Sequence, residues 1–168
     1  MNRALGIAAV PTILCAALMA INPAFAQVSK SEATRDNPEY FPVPRTAGTA
    51  LPFSEAVKVG DLLYVSGQIG SMPGTLTLAA GGIGPETHQA LDNIKAILDR
   101  HGSSLGQIIK CTVFLADIKD WPAFNQVYVE YFKEASFPAR SALAASGLAF
   151  NARTEIECIA FVPGKRGH

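Results

Sequence analysis

The chain has 168 residues, 49% of them apolar, and its 14 Lys and Arg balance 14 Asp and Glu. That balance excludes the basic patch by which a domain binds nucleic acid. Beyond the amino-terminal apolar run only Cys111 and Cys158 remain, without CxxC spacing or a companion histidine, so no metal site is expected.

The sequence opens MNRALGIAAVPTILCAALMAINPAFAQ, with Arg3, an apolar stretch from Ala4 to Ile21, and Ala24-Phe25-Ala26 ahead of Gln27. This pattern predicts a signal peptide over 1–26, cleaved after Ala26. Gly6 and Pro11 interrupt the continuous apolar run that a membrane anchor needs. Thr12-Ile13-Leu14 lack the small residues expected before a lipidated Cys15. The mature protein is therefore expected in the periplasm or secreted, with no stable membrane association. What remains is long enough for one domain and too short for two ordinary ones.

Residues 27–49 carry Pro38, Pro42 and Pro44 without apolar periodicity and read as an extended arm before a domain over 50–168. SEAVKV and LLYVSG, separated by Gly60-Asp61, predict a β-hairpin. Gln68 to Gly82 reads as a loop, and its Gly81-Gly82 pair lacks the signature of a phosphate cradle. A helix is expected from Pro85 and Glu86 to Gly102, with Leu91, Ile94, Ile97 and Leu98 on its inner face. IIKCTVFLA then predicts a strand. A second helix is expected from Trp121 to Glu134, its Phe124, Val127, Tyr128, Tyr131 and Phe132 forming a core stripe.

Two further strands, near Arg140–Ala144 and Ala152–Val162, complete a ββαβαββ order, a two-layer α+β domain with helices on one face of a sheet. Alternation in TEIECIAF places Glu155 and Glu157 on one side and Ile156, Cys158 and Ala160 on the other. Two carboxylates aimed away from the core call for solvent or a partner surface. Cys111 and Cys158 lie in apolar strand runs, where buried free thiols are the expectation and a disulfide the alternative if the strands are neighbours.

The two last strands read as a hairpin bringing Arg140 and Glu155 together. An arginine binds a carboxylate through two parallel hydrogen bonds, and a nearby glutamate orients or deprotonates a water. This chemistry fits hydrolysis of a small organic acid, against the plainer reading of a solvated cross-strand ion pair. Ser141 has no histidine partner, which argues against a serine hydrolase. His101 closes the first helix, where a cation suits the dipole.

SGQIG (Ser66 to Gly70), KCTVFLADIKDWPAFNQVYVEYF (Lys110 to Phe132), FPARS (Phe137 to Ser141) and TEIECIA (Thr154 to Ala160) occur in that order. Together they resemble the RidA/YjgF/YER057c/UK114 (Rid) family from about Phe53 to Val162. The resemblance implies a chorismate-mutase-like α+β subunit, a homotrimer with clefts between subunits, and hydrolysis of enamine or 2-imino acids to 2-keto acids and ammonia without a cofactor. It further implies a site containing Ser66, Asn125, Arg140 and Glu155. The family's tyrosine position falls on Phe53 and its cysteine position on Ala142, so both polar groups are missing here.

On this reading Arg140 anchors the substrate carboxylate, Glu155 holds or activates water, and backbone near Ala142 steadies the nitrogen. Ser66 and Asn125 shape the cleft, and Phe53 walls it with apolar surface. The alternative is a non-catalytic periplasmic trimer that binds small carboxylates through Arg140. An endoribonuclease activity fits poorly with the near-neutral charge and with export away from RNA.

Overall fold

The structure, a computed structural model, describes residues 37–44 and 50–164. The expected signal peptide and parts of the expected arm lie outside the described residues. The elements are β1 (Glu39–Pro42), β2 (Ser54–Val59), β3 (Leu62–Ile69), α1 (Ile83–Arg100), β4 (Ile108–Leu115), α2 (Trp121–Tyr128), β5 (Ala139–Ala144) and β6 (Thr154–Phe161), with short 3-10 turns between some of them. After β1 this is the ββαβαββ order expected. The six strands form one sheet in the order β1-β2-β3-β6-β4-β5.

β2 and β3 pair antiparallel across a turn in which Gly60 has φ 58°, a left-handed conformation that costs a glycine nothing. The apolar face of α1 follows its three- and four-residue spacing: Leu91, Ile94 and Leu98 are fully buried. It packs on β3 and β6 and against α2. Its last turn closes as the His101 N–H donates to the carbonyls of Ile97 and Leu98, and Gly102 follows at φ 75°. Leu63, Val113, Leu115 and Ile156 supply the sheet's side of the same core, with Phe124 and Tyr128 from α2. α2 is shorter than expected. Its α-helical geometry stops at Tyr128 and continues as a 3-10 turn over Val129–Tyr131, within a run of β-branched and aromatic residues that are weak helix formers.

Part of the arm belongs to the sheet. β1 pairs antiparallel with β2, and the ring of Phe41 stacks on that of His101 with centroids 3.9 Å apart. Beneath them lies Glu55, 6% exposed, whose carboxylate accepts from Arg100 Nη2 at 2.7 Å and lies 2.8 Å from His101 Nε2. A buried carboxylate thus fastens β2 to the end of α1, and His101 caps that end as a partner of Glu55.

Two expectations are corrected. β5 and β6 do not form a hairpin: β4 lies between them, parallel to β5 and antiparallel to β6. The cause is the connection, since a strand–helix–strand crossover through α2 returns β5 parallel to β4. The chain then crosses to β6 through a turn where Phe150 and Asn151 adopt φ of 57° and 60°. The cysteines are not free thiols either. Cys111 and Cys158 face each other in the β4–β6 register with Cα atoms 4.1 Å apart and form a disulfide. Directly opposed residues on one face of an antiparallel pair come that close without any movement of the backbone.

Among the described residues, no helix packs on the sheet's other face. Tyr64, Thr112, Glu155, Glu157, Ile159 and Phe161 alternate with core residues and point that way, and Tyr64 and Phe161 are large exposed apolar groups.

Candidate functional site

Arg140 stands in register with Cys111, so it shares the helix-facing side of the sheet at the β5 edge. Its guanidinium carbon lies 4.5 Å from the centroid of the Tyr128 ring and 5.7 Å from that of Phe124. Those two aromatics are one helical turn apart on α2, so both present their rings to the same side. Among the described residues Arg140 makes no side-chain hydrogen bond or ion pair. A half-buried cation held by ring faces keeps its in-plane N–H donors free, which is the arrangement a carboxylate needs.

Asn125 follows Phe124 directly. Its Oδ1 is buried without a hydrogen-bond partner, and the residue lines an open groove of about 690 Å³ with Ile118, Lys119, Trp121 and Pro122. Ala142, two residues beyond Arg140 and on the same face, packs against the core. Arg140 and Ala142 therefore share the helix side of the sheet at the β5 edge, where Arg140 meets α2, the helix that carries Asn125.

The second group lies on the opposite face. Glu155 pairs in register with Phe114 of β4 and points away from the helices. Opposite it, the β3–β6 register shifts between Val65 and Gln68, a bulge that takes in Ser66 and Gly67. The Glu155 carboxylate lies against Gly67 so closely that a Cβ there would force the Glu155 side chain to move. Ser66 Oγ donates to the Ser54 carbonyl at 2.7 Å, and Gln68 Nε2 donates to the carbonyls of Ser66 and Gly67, each at 3.0 Å. Burial, and secondarily the negative charge of Glu157, push the Glu155 carboxyl above its ordinary range. Phe53, just before β2, is 51% exposed.

Within one chain, then, Arg140 and Glu155 do not form the cross-strand pair that the hairpin reading places there. They lie two strands apart and on opposite faces. Three contributors escape sequence reasoning. Phe124 and Tyr128 read as core, and they also carry Arg140. Gly67 is the third, and its signal is a glycine inside a strand pattern, which marks a bulge or a close approach. Among the described residues, no three His, Cys, Asp or Glu side chains gather as ligands for a metal ion.

The site thus combines an unengaged arginine at the sheet edge of a two-layer α+β domain with a burial-raised glutamate on its open face. Comparison with known proteins gives the family. The family model described as Endoribonuclease L-PSP matches residues 45–162. The human 2-iminobutanoate/2-iminopropanoate deaminase is 41% identical over 116 residues, covering 69% of this chain and 84% of that protein. A RutC family protein of Pyrococcus horikoshii is 46% identical over 110 residues, covering 66% and 86%. The crystal structure of RidA from the Antarctic bacterium Psychrobacter superposes with a TM-score of 0.66 at 34% identity, covering 74% of this chain and 99% of that one. The chain belongs to the endoribonuclease L-PSP (RidA/YjgF) family.

Proposed function

We propose that the protein is an exported homotrimer that hydrolyses 2-imino acids to 2-keto acids and ammonia at sites shared between subunits. The observation that carries this reading is Arg140, whose guanidinium rests on two aromatic rings with no acidic partner among the described residues. Next to Phe124 in sequence, Asn125 offers an unpartnered buried oxygen. The names of similar proteins from human, goat and cattle point to the same substrate class.

In this mechanism Arg140 of one subunit binds the substrate carboxylate bidentately and places the C=N carbon next to the Glu155 group of a neighbouring subunit. The helix-free sheet face, with its exposed Tyr64 and Phe161, is the surface a neighbour would cover. Water held by Glu155 adds its oxygen to the C=N carbon, and its proton passes to the carboxylate. The nitrogen takes that proton to complete the carbinolamine, and as the C–N bond breaks the hydroxyl proton passes through Glu155 to the departing nitrogen, releasing ammonia and leaving the 2-keto acid. A carboxyl raised by burial is suited to both transfers, because its two protonation states lie closer in energy near neutral pH. Phe53 and Ala142 supply apolar wall where the family pattern has polar groups, which favours a bulkier side chain on the acid.

Export rests on the amino-terminal sequence, and the Cys111–Cys158 disulfide is the chemistry of an oxidising compartment. A second reading is favoured by Phe53 and Ala142: without the two polar groups, the trimer would hold small carboxylates and not turn them over. One experiment separates them. Purified mature protein is given 2-imino acids of varied side chain, generated in place by an amino-acid oxidase, and keto-acid and ammonia release are followed. Release above the spontaneous rate, lowered roughly ten- to more than hundredfold by Arg140→Ala, supports the enzyme, because charged hydrogen bonds contribute about 1.5–3 kcal/mol. Arg140→Lys should fall between, keeping charge without the planar fork. Binding without release supports the carrier. Unchanged behaviour in a well-folded Arg140→Ala trimer removes both.

A further inference from the structure

We infer that Tyr128 is a positioning residue whose ring face, and not its hydroxyl, holds the Arg140 guanidinium in the orientation that receives a carboxylate. This rests on the anchoring role proposed for Arg140. An arginine has a long, freely rotating side chain, and on an edge strand with no carboxylate partner it would have to be ordered anew for each ligand. Here the ordering is built in. The guanidinium carbon sits nearer to Tyr128, at 4.5 Å, than to Phe124, at 5.7 Å.

The platform is itself immobile. Tyr128 is 3% exposed and wedged between Phe124 and Phe132, with ring centroids 5.5 Å and 4.7 Å away. Contact through the ring face also leaves the guanidinium's in-plane donors free, whereas an acidic partner would consume the same donors the substrate needs. The hydroxyl has no hydrogen-bond partner, and burial pushes its pKa up to about 12 against the opposing effect of Arg140. Tyr128 therefore stays neutral at working pH and acts on Arg140 as a quadrupole.

The test keeps the core's shape while draining charge from the ring. Tyr128→Phe is made first, followed by incorporation of mono-, di- and trifluorophenylalanine at position 128. Affinity for 2-oxobutanoate, an unreactive product-like acid, is measured by calorimetry, with melting temperature as the folding control. Tyr128→Phe should bind within about twofold of wild type, and affinity should then fall stepwise with fluorination, by roughly three- to tenfold across the series. For turnover, KM should rise in parallel while kcat holds. A flat fluorination series, or an affinity lost already in Tyr128→Phe, overturns the role of the ring. Arg140→Ala run alongside separates the two ideas. If it lowers affinity and the series is flat, Tyr128 alone is misassigned; if it does not lower affinity, the anchor itself is wrong and Tyr128's role goes with it.

Discussion

Glu155 is a carboxyl group whose ionisation the fold opposes, by burial first and by Glu157 second. The sign follows directly. With a folded pKa above the unfolded one, its favourable contribution is complete below the ordinary carboxylate range, about 4.3, and is lost as pH rises through the raised value. Glu155→Gln removes that loss, so its stability relative to wild type should increase between pH 4 and 7 in urea titrations. The same variant should lower turnover by roughly a hundredfold while leaving affinity for a 2-keto acid nearly intact, because its proposed partner is water and not the carboxylate. Wild-type turnover should fall on acidification with a midpoint above the usual glutamate range. Gly67→Ala reaches the same carboxylate by geometry: the new methyl occupies the place of the Glu155 side chain, and steady-state kinetics should show a loss of roughly ten- to a hundredfold in kcat.

β4 is the element on which the rest of the site depends. It pairs with β5 on one edge and β6 on the other, so it holds Arg140 and Glu155 at fixed separation on opposite faces. The disulfide fastens β4 to β6 and closes a loop of 47 residues that includes α2 and β5. Constraining a loop of that length in the unfolded chain stabilises the fold by about 4 kcal/mol. Cys111→Ala with Cys158→Ala should therefore cost about that much in denaturant titrations of the oxidised protein. The two sulfurs are buried, so millimolar reductant acting on the native protein should leave the bridge intact, as free-thiol counting before and after denaturation would show.

At the scale of the whole molecule, the bare sheet face and the separated half-sites pose the same question. Under the proposed mechanism, a subunit whose Arg140 and Glu155 face opposite ways needs a neighbour to complete its site. Light scattering on the mature protein should give three times the subunit mass at micromolar concentration. Phe161→Glu, which puts a charge on the proposed contact face, should yield smaller species that have lost turnover while each subunit keeps its circular dichroism. Mass spectrometry of the protein recovered from a bacterial periplasm should show a chain beginning at Gln27. Full-length chain in the membrane fraction would argue for an anchor.

Periodicity in the sequence was enough for the two-layer α+β class, the ββαβαββ order and the phase of each strand. TEIECIAF alternates strictly, so Ile156 and Cys158 had to face the core once Glu155 and Glu157 faced away. Ordered motif blocks pointed to Arg140, Asn125, Ser66 and Glu155 because backbone and chemistry constrain those short segments together. Periodicity cannot say which strands become neighbours. The insertion of β4 between β5 and β6, the meeting of Cys111 with Cys158, and the resting of Arg140 on Tyr128 all join residues far apart in the chain. Tertiary packing decided them, because α2 returns β5 parallel to β4 and leaves β4's other edge for β6, and that single pairing choice sets both the disulfide and the two faces of the site.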